Sequence, residues 1–162
     1  MSMPGNLQQV MTEIGPMLGI EEVVEYAKQS LWTLTIDTST VVFAEYHESS
    51  RQLILSVDVT EMPTKRRPEI MDLLLRYNGS WDQTGGVCLS LDAEGRIVQQ
   101  SAVLPAGDLD SQMLHTVVMN FLSTMGHWRL NILQHAEISR REAAREPAGD
   151  EHVPPPDFVM RI

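Results

Sequence analysis

Residues 31–59 read LWTLTIDTSTVVFAEYHESSRQLILSVDV, and apolar and polar side chains alternate through much of this stretch. The alternation falls into three segments, residues 31–36, 41–46 and 53–59. These segments are rich in β-branched and aromatic residues, which is typical of strands. Asp, Ser and Thr residues, which favour turns, separate them. The stretch therefore predicts a three-stranded antiparallel meander, around which the rest of the chain is arranged.

A helix is predicted before the meander. Its apolar residues recur every three or four positions and share one face, formed by Leu7, Val10, Met11, Ile14 and Leu18. Asn6 is a suitable N-cap, and Gly15-Pro16 is expected to bend or end the helix. A second helical piece is predicted over residues 20–28. The first helix is amphipathic, so we expect it to offer apolar surface to a partner.

Another helix is predicted after the meander, from Pro68 to about Tyr77, with Asn78-Gly79 as a left-handed C-cap. It is apolar on two sides, through Ile70, Met71, Leu73, Leu74, Leu75 and Tyr77. A helix of this kind needs cover on both sides. We expect the sheet to cover one side and a second subunit to cover the other.

The remaining chain predicts a hairpin, a long helix and a tail. Residues 87–91 and 96–104 form the hairpin around Gly95, and the helix begins at residues 109–111. The predicted fold is α+β, a twisted antiparallel sheet of about five strands with three helices in the order α-β-β-β-α-β-β-α. Residues 1–136 are expected to form one domain, and residues 137–162 a polar, proline-containing, flexible tail.

Charge and composition restrict the partners. The chain of 162 residues has 22 acidic and 12 basic residues, a formal net charge of −10. Such a surface repels phosphate backbones and anionic lipid, so we expect neither nucleic acid nor a membrane as a partner. A basic or neutral protein suits it better, although acidity also serves solubility alone. The first ten residues lack the features of a secretory signal, and the single Cys88 favours a reducing compartment.

Motifs for catalysis or metal binding are missing from the sequence. The histidines show no ligand pair at helical spacing, and no G-x-S-x-G motif is present. Thr84-Gly85-Gly86 lacks the lysine and the following helix that a phosphate-binding loop requires. We expect no enzymatic activity, no catalytic residue, no metal site and no cofactor.

Several segments carry a resemblance to a known family. Residues 76–91, RYNGSWDQTGGVCLSL, and the following hairpin to Pro105 resemble class I type III secretion chaperones, the Tir chaperone or CesT-like family. Residues 109–129, LDSQMLHTVVMNFLSTMGHWR, resemble the closing helix of that family. Leu18-Gly19-Ile20 and Leu34-Thr-Ile-Asp37 resemble its Leu-Gly-Leu turn and first strand. The resemblance covers about residues 5–135.

The resemblance implies a homodimer in the bacterial cytoplasm that binds the N-terminal, nonglobular segment of a secreted effector. A secretion ATPase or sorting platform is a further partner that it suggests. From apolarity and the family's layout, the expected effector-binding residues are Val10, Met11, Ile14, Val41 and Phe43. The expected dimer contact consists of Met71, Leu75, Val87, Leu89 and Leu91.

Two other functions are compatible with the residues. One is a small α+β enzyme or ligand-binding protein whose pocket is lined by Trp32, Tyr46 or Trp81. The other is an adaptor within the secretion apparatus, which would bind that apparatus without an effector.

Overall fold

The meander predicted over residues 31–59 forms the centre of the structure. The computed structural model describes residues 5–20, 22–80 and 82–145, except for the side chains of residues 139, 140 and 142–145. Its elements are α1 (Gly5–Leu18), β1 (Glu22–Tyr26), β2 (Leu31–Asp37), β3 (Thr40–His47), β4 (Gln52–Glu61), α2 (Arg67–Gly79), β5 (Val87–Leu91), β6 (Ile97–Pro105) and α3 (Ser111–Arg145). The predicted α+β class with three helices is confirmed.

The strands form one antiparallel sheet in the order β1-β2-β3-β4-β6-β5. The meander supplies β2 to β4, and the predicted hairpin supplies β5 and β6. Gly95 in the hairpin turn has a φ of +68°, the conformation for which glycine was expected. The sheet has six strands within the described residues, one more than predicted.

The additional strand is β1, and it corrects the prediction of a helical piece over residues 20–28. The segment Glu22–Tyr26 pairs with β2, and only a 3-10 turn, Ala27–Gln29, follows it. Its two adjacent valines point to opposite faces of the sheet, since Val23 pairs with Leu34 and Val24 with Thr33. Pairing with β2 therefore decides the conformation of a segment whose glutamates favour a helix.

Two helix ends also differ from expectation. α1 continues past Pro16 and ends at Leu18, and Gly19 follows it with a φ of +68°. In α2, Pro68 lies in the first turn as predicted, but Asn78 and Gly79 belong to the helix and form no left-handed cap. The amide of Asn78 instead reaches the backbone of β5.

The core lies between one face of the sheet and the helices α1 and α3. Alternate residues of the four central strands are buried on this face: Trp32, Leu34, Val42, Ala44, Tyr46, Leu53, Leu55, Val57, Val98, Gln100 and Ala102. Gln100 donates its amide N–H to the Phe121 carbonyl of α3 at 2.7 Å. Arg129 donates its Nε–H at 2.7 Å to the carbonyl of Val59, where β4 has a bulge. These bonds fix α3 across the sheet.

α3 reaches Arg145, so the first nine residues of the predicted tail, 137–145, are helical. Residues 146–162 lie outside the described residues. None of the helices within residues 5–20, 22–80 and 82–145 is both long and apolar enough to cross a bilayer.

Candidate functional site

The five residues predicted to bind an effector do not lie together. Val10, Met11 and Ile14 are buried, with Met11 only 2% exposed, because the apolar face of α1 closes the core. Val41 is half-buried and Phe43 is exposed on the opposite face of the sheet. The apolar face of α1 is thus needed for folding, and three of the five side chains offer almost no surface to a partner.

A groove of about 350 Å³ lies between α1 and β1. Its walls are formed by Gln8, Met11, Thr12, Gly15, Pro16, Ile20, Val23, Glu25 and Trp32. Gly15 brings the two elements close together, since a Cβ there would lie 3.1 Å from Val23 Cγ2. The groove is mixed in character, with thioether and aliphatic walls, the amide of Gln8 and the carboxylate of exposed Glu25 at its rim.

The groove borders the outer edge of β1, which is one edge of the sheet. Within the described residues, the backbone of β1 bonds only to β2. A strand edge of this kind presents N–H and C=O groups to another extended segment. The structure therefore places a row of backbone donors and acceptors beside a groove that can take side chains.

The opposite edge of the sheet, β5, is closed by α2. Asn78 accepts a hydrogen bond from Leu89 N–H at 2.8 Å and donates one to Leu89 O at 2.7 Å. The side-chain amide thus takes the place that a neighbouring strand would occupy. Val87 N–H bonds to the Thr84 carbonyl at 3.2 Å. The two edges of the sheet differ, and β1 is the open one.

The sheet face that the helices leave uncovered carries a second apolar surface. Thr33, Phe43, Ser56, Ser101 and Cys88 form one row across five strands, in register. The apolar members of this open face are Val24, Tyr26, Leu31, Val41, Phe43, Ile54 and Val103. The carboxylates of Glu22, Glu45 and Asp58 lie on the same face and are exposed. An apolar face with acidic neighbours suits a partner that combines apolar and basic side chains.

The five residues predicted for a dimer contact are also divided. Met71 and Leu75 lie on the outer side of α2, where Leu75 is 67% exposed. Val87 and Leu89 face the core, with Leu89 only 4% exposed, and Leu91 is half-buried. The alternation of β5 explains the difference, because Cys88 and Ser90 take its exposed face.

Sequence reasoning missed Asn78 and most of the open face. Ile54 and Val103 are out of phase with the buried residues of their own strands, and this phase was the signal that could have identified them. The bond from Asn78 to β5 has no comparable signal, since it depends on where α2 packs. Of the aromatic residues suggested for a ligand pocket, Trp32 and Tyr46 are buried, and Trp81 lies outside the described residues.

The shifted pKa values all have structural causes. A hydrogen bond from the Ser111 hydroxyl, then one from Gln9, lowers the pKa of Glu13. Backbone N–H groups lower the pKa of Asp37 through Ser39 and that of Asp92 through Ile97. Burial raises the pKa of Tyr77, which packs edge-on against Trp128, with 5.2 Å between the ring centroids.

The described residues contain no cluster of His, Cys, Asp and Glu that could hold a metal ion.

Comparisons with known proteins agree with this geometry. The sequence model of the Tir chaperone protein (CesT) family matches residues 9–129. No curated protein matches the sequence significantly.

Among solved structures, a chain of the ExsC–ExsE complex matches with a TM-score of 0.68 and 18% identity, covering 80% of this chain and 95% of that one. A chain of the HopA1–SchA chaperone–effector complex matches with a TM-score of 0.62 and 18% identity, covering 76% and 92%. A chain of the heterodimeric ExoU–SpcU complex from the type III secretion system of Pseudomonas aeruginosa matches with a TM-score of 0.55 and 16% identity, covering 74% and 93%. At these identities the structures show a shared fold.

Proposed function

This chain belongs to the Tir chaperone protein (CesT) family, and on that premise we propose that it is a type III secretion chaperone for an effector protein. It binds the N-terminal, nonglobular segment of the effector and keeps it soluble and competent for export. It works by binding, without catalysis, in the bacterial cytoplasm. All three structural matches are chains of complexes, one of which is described as a chaperone–effector complex.

The observation that carries the proposal is the open edge of β1 beside the α1–β1 groove. An extended peptide added to such an edge gains affinity from main-chain hydrogen bonds and specificity from side-chain pockets. Every second side chain of the peptide would point to the groove side, next to Val23 and Ile20. A segment that is unfolded beforehand loses entropy on binding, so apolar contacts in the groove must offset that loss.

The open face of the sheet extends the proposed binding surface. Phe43 and Val103 are exposed there, with Val103 49% exposed, and Glu22 and Glu45 carry negative charge. A segment of the effector that leaves the β1 edge can continue over this face. The charges favour an effector segment with basic residues and steer its approach.

We further propose that the chain forms a homodimer through the outer side of α2, where Met71 and Leu75 are exposed. Exposed apolar side chains grouped on one helix are typical of an interface. A secretion ATPase or sorting platform would then receive the loaded complex.

The proposal is tested by filling the groove. Thr12 is exposed on α1, lines the groove, and donates its hydroxyl to Gln8 O at 2.9 Å. Thr12→Trp is expected to place an indole in the groove and reduce capture of an effector's N-terminal fragment by at least about tenfold in co-purification. The fragment is the N-terminal segment of a candidate type III effector.

Thr116→Trp is the matched control. Thr116 is likewise exposed on a helix and donates to Gln112 O at 3.0 Å, but it lies on α3 outside the groove. Capture should be unchanged in this variant, and circular dichroism should show both variants folded. If a folded Thr12→Trp variant captures as much effector fragment as the unaltered chain, the effector does not bind in the groove.

A further inference from the structure

The outward side of α3 carries an apolar seam along the helix. The residues of this seam follow one another at steps of four and three: Met119, Ser123, Gly126, Leu130, Leu133 and Glu137. Met119 is 50% exposed, Leu130 60% and Leu133 49%. Phe121 and Ile132, on the opposite side of α3, are in the core. We propose that the α3 seam binds an acidic amphipathic helix of a partner protein.

The spacing of the seam is that of a helix–helix contact. Two helices pack against each other when apolar side chains recur about every 3.5 residues, because each side chain then fits between side chains of the facing helix. From Met119 to Glu137 the seam extends about 27 Å along α3, which accommodates about five turns of a partner helix. A strand, whose side chains on one face recur every second residue, matches this spacing less well.

Gly126 forms a depression in the middle of the seam. A glycine inside a helix costs about 1 kcal/mol of stability relative to alanine. A Cβ at this position would meet no heavy atom within 4 Å outside the backbone of its own helix, so the fold of the described residues does not require a glycine there. Ser123, one turn earlier, is also small and is exposed. The two positions leave room between Met119 and Leu130 for a large apolar side chain of a partner helix.

The charge of α3 indicates the kind of helix that fits. Residues 111–136 contain no Asp or Glu, although the chain has 22 acidic residues and a net charge of −10. Arg129 flanks the seam, and its two hydrogen bonds go to backbone carbonyls, those of Val59 and Asp58. No carboxylate among the described residues therefore pairs with this guanidinium. His127 is exposed on the other flank. Flanks that are neutral or positive favour a partner helix with acidic flanks.

The seam differs from the surfaces proposed for the effector and for the dimer. The acidic open face of the sheet favours an effector segment with basic residues, which the flanks of α3 do not attract. A second α3 would bring two flanks without carboxylates together, and Glu137 of the seam already pairs with Arg141 at 3.5 Å. Leu130 and Leu133 also follow residue 129, where the match to the family model ends. The proposal therefore adds a further partner and does not depend on the effector proposal.

The test uses two synthetic helical peptides of about three heptads, with leucine at the seam positions and either glutamate or lysine on both flanks. Fluorescence anisotropy measures their binding to the full chain. Leu130→Asp plus Leu133→Asp should weaken binding of the glutamate peptide at least about tenfold. Met71→Asp plus Leu75→Asp makes the same change on α2, is the matched control, and should leave that binding unchanged. The lysine peptide, which acidic surfaces attract elsewhere, should bind no more weakly to either variant.

A second variant tests the charge without altering the apolar seam. His127→Glu plus Gln134→Glu places carboxylates at two exposed positions of one flank. It should weaken the glutamate peptide about threefold or more at low salt, and the difference should shrink at high salt. Circular dichroism should show all variants folded.

The proposal is wrong if the glutamate peptide does not bind, or if it binds the α3 variants as tightly as the unaltered chain. It is also wrong if the α3 substitutions weaken both peptides equally, because the acidic flanks would then have no role. An oligomer larger than a dimer that Leu130→Asp plus Leu133→Asp dissociates in light scattering would show that a second copy occupies the seam, which likewise overturns the proposal.

Discussion

At the scale of single residues, Asn78 shows how one side chain determines which edge of the sheet is available. Its amide has a donor and an acceptor at the spacing of a backbone unit, and both bond to Leu89. The bond keeps α2 against β5 and occupies the edge at the same time. A partner strand is thereby directed to β1.

Asn78→Ala is expected to lower the free energy of unfolding by about 1–3 kcal/mol, because a partly buried N–H and C=O of Leu89 both lose their partner. Urea denaturation measures this loss. Asn131→Ala is a suitable control, since Asn131 is exposed and bonds only within its own helix, to His127 O. The control should change stability by no more than about 0.5 kcal/mol. Equal effects of both substitutions would show that the contact with β5 contributes little.

The same residue shows a limit of sequence analysis. Asn78-Gly79 is a frequent helix C-cap pair, and the local sequence favoured that interpretation. The amide bonds instead to a strand eleven residues later in the chain, and the helix includes both residues. Local propensity does not predict that the Asn78 amide bonds to β5 and forms no helix cap, because the backbone groups of Leu89 reach Asn78 only in the folded chain.

At the scale of the elements, β1 depends on the small size of Gly15 in α1. The segment Glu22–Tyr26 has five residues and no consistent alternation, so it has little strand preference of its own. It lies between β2, which supplies hydrogen bonds, and α1, which it approaches closely at Gly15. Its position should therefore be sensitive to any side chain at residue 15.

Gly15→Leu is expected to push β1 away from α1 and to lower the free energy of unfolding by about 1–3 kcal/mol, because the new side chain meets Val23. Hydrogen exchange in β1 should rise more than exchange in β3 and β4. Gly126→Ala is the matched control in α3, where a Cβ meets no heavy atom within 4 Å. It should stabilise the protein by about 0.5–1 kcal/mol. If Gly15→Leu leaves exchange in β1 unaltered, the contact with Val23 does not fix the strand.

The elements with a strong period were predictable and the surfaces were not. β2, β3 and β4 alternate clearly, and the hairpin has a glycine where its turn needs one, so their existence followed from local rules. The apolar face of α1 was also predicted, but the sequence did not show that this face packs into the core. Periodicity shows that Val10, Met11 and Ile14 share a face, and it does not show whether core or partner covers that face.

At the scale of the whole molecule, three of the apolar surfaces that the described residues leave exposed are candidates for binding a partner. They are the α1–β1 groove, the open face of the sheet and the outer side of α2. The groove and the open face adjoin one another at β1, whereas α2 packs against β5, the opposite edge of the sheet. This separation allows one chain to hold an effector and a second copy of itself at the same time.

The outer side of α2 is therefore the surface to alter in a test of the dimer. Met71→Asp plus Leu75→Asp adds charge where both side chains are exposed, so the fold should persist while the interface is lost. Multi-angle light scattering should show the unaltered chain at twice 18.2 kDa and the variant at 18.2 kDa. Leu89→Asp would be uninformative, because Leu89 is in the core and a buried carboxylate would unfold the chain.

Leu130→Asp is the control, since Leu130 is 60% exposed on α3, a different helix from the one that carries Met71 and Leu75. A dimer that survives the α2 substitutions and dissociates with Leu130→Asp would place the contact on α3. In that case the apolar residues of α2 would be left for the effector or the secretion machinery, and the effector would have access to both ends of the sheet. Loss of the dimer only in the α2 variant would instead show that the second subunit covers α2. The effector would then bind at the β1 edge of the sheet, which the dimer leaves free.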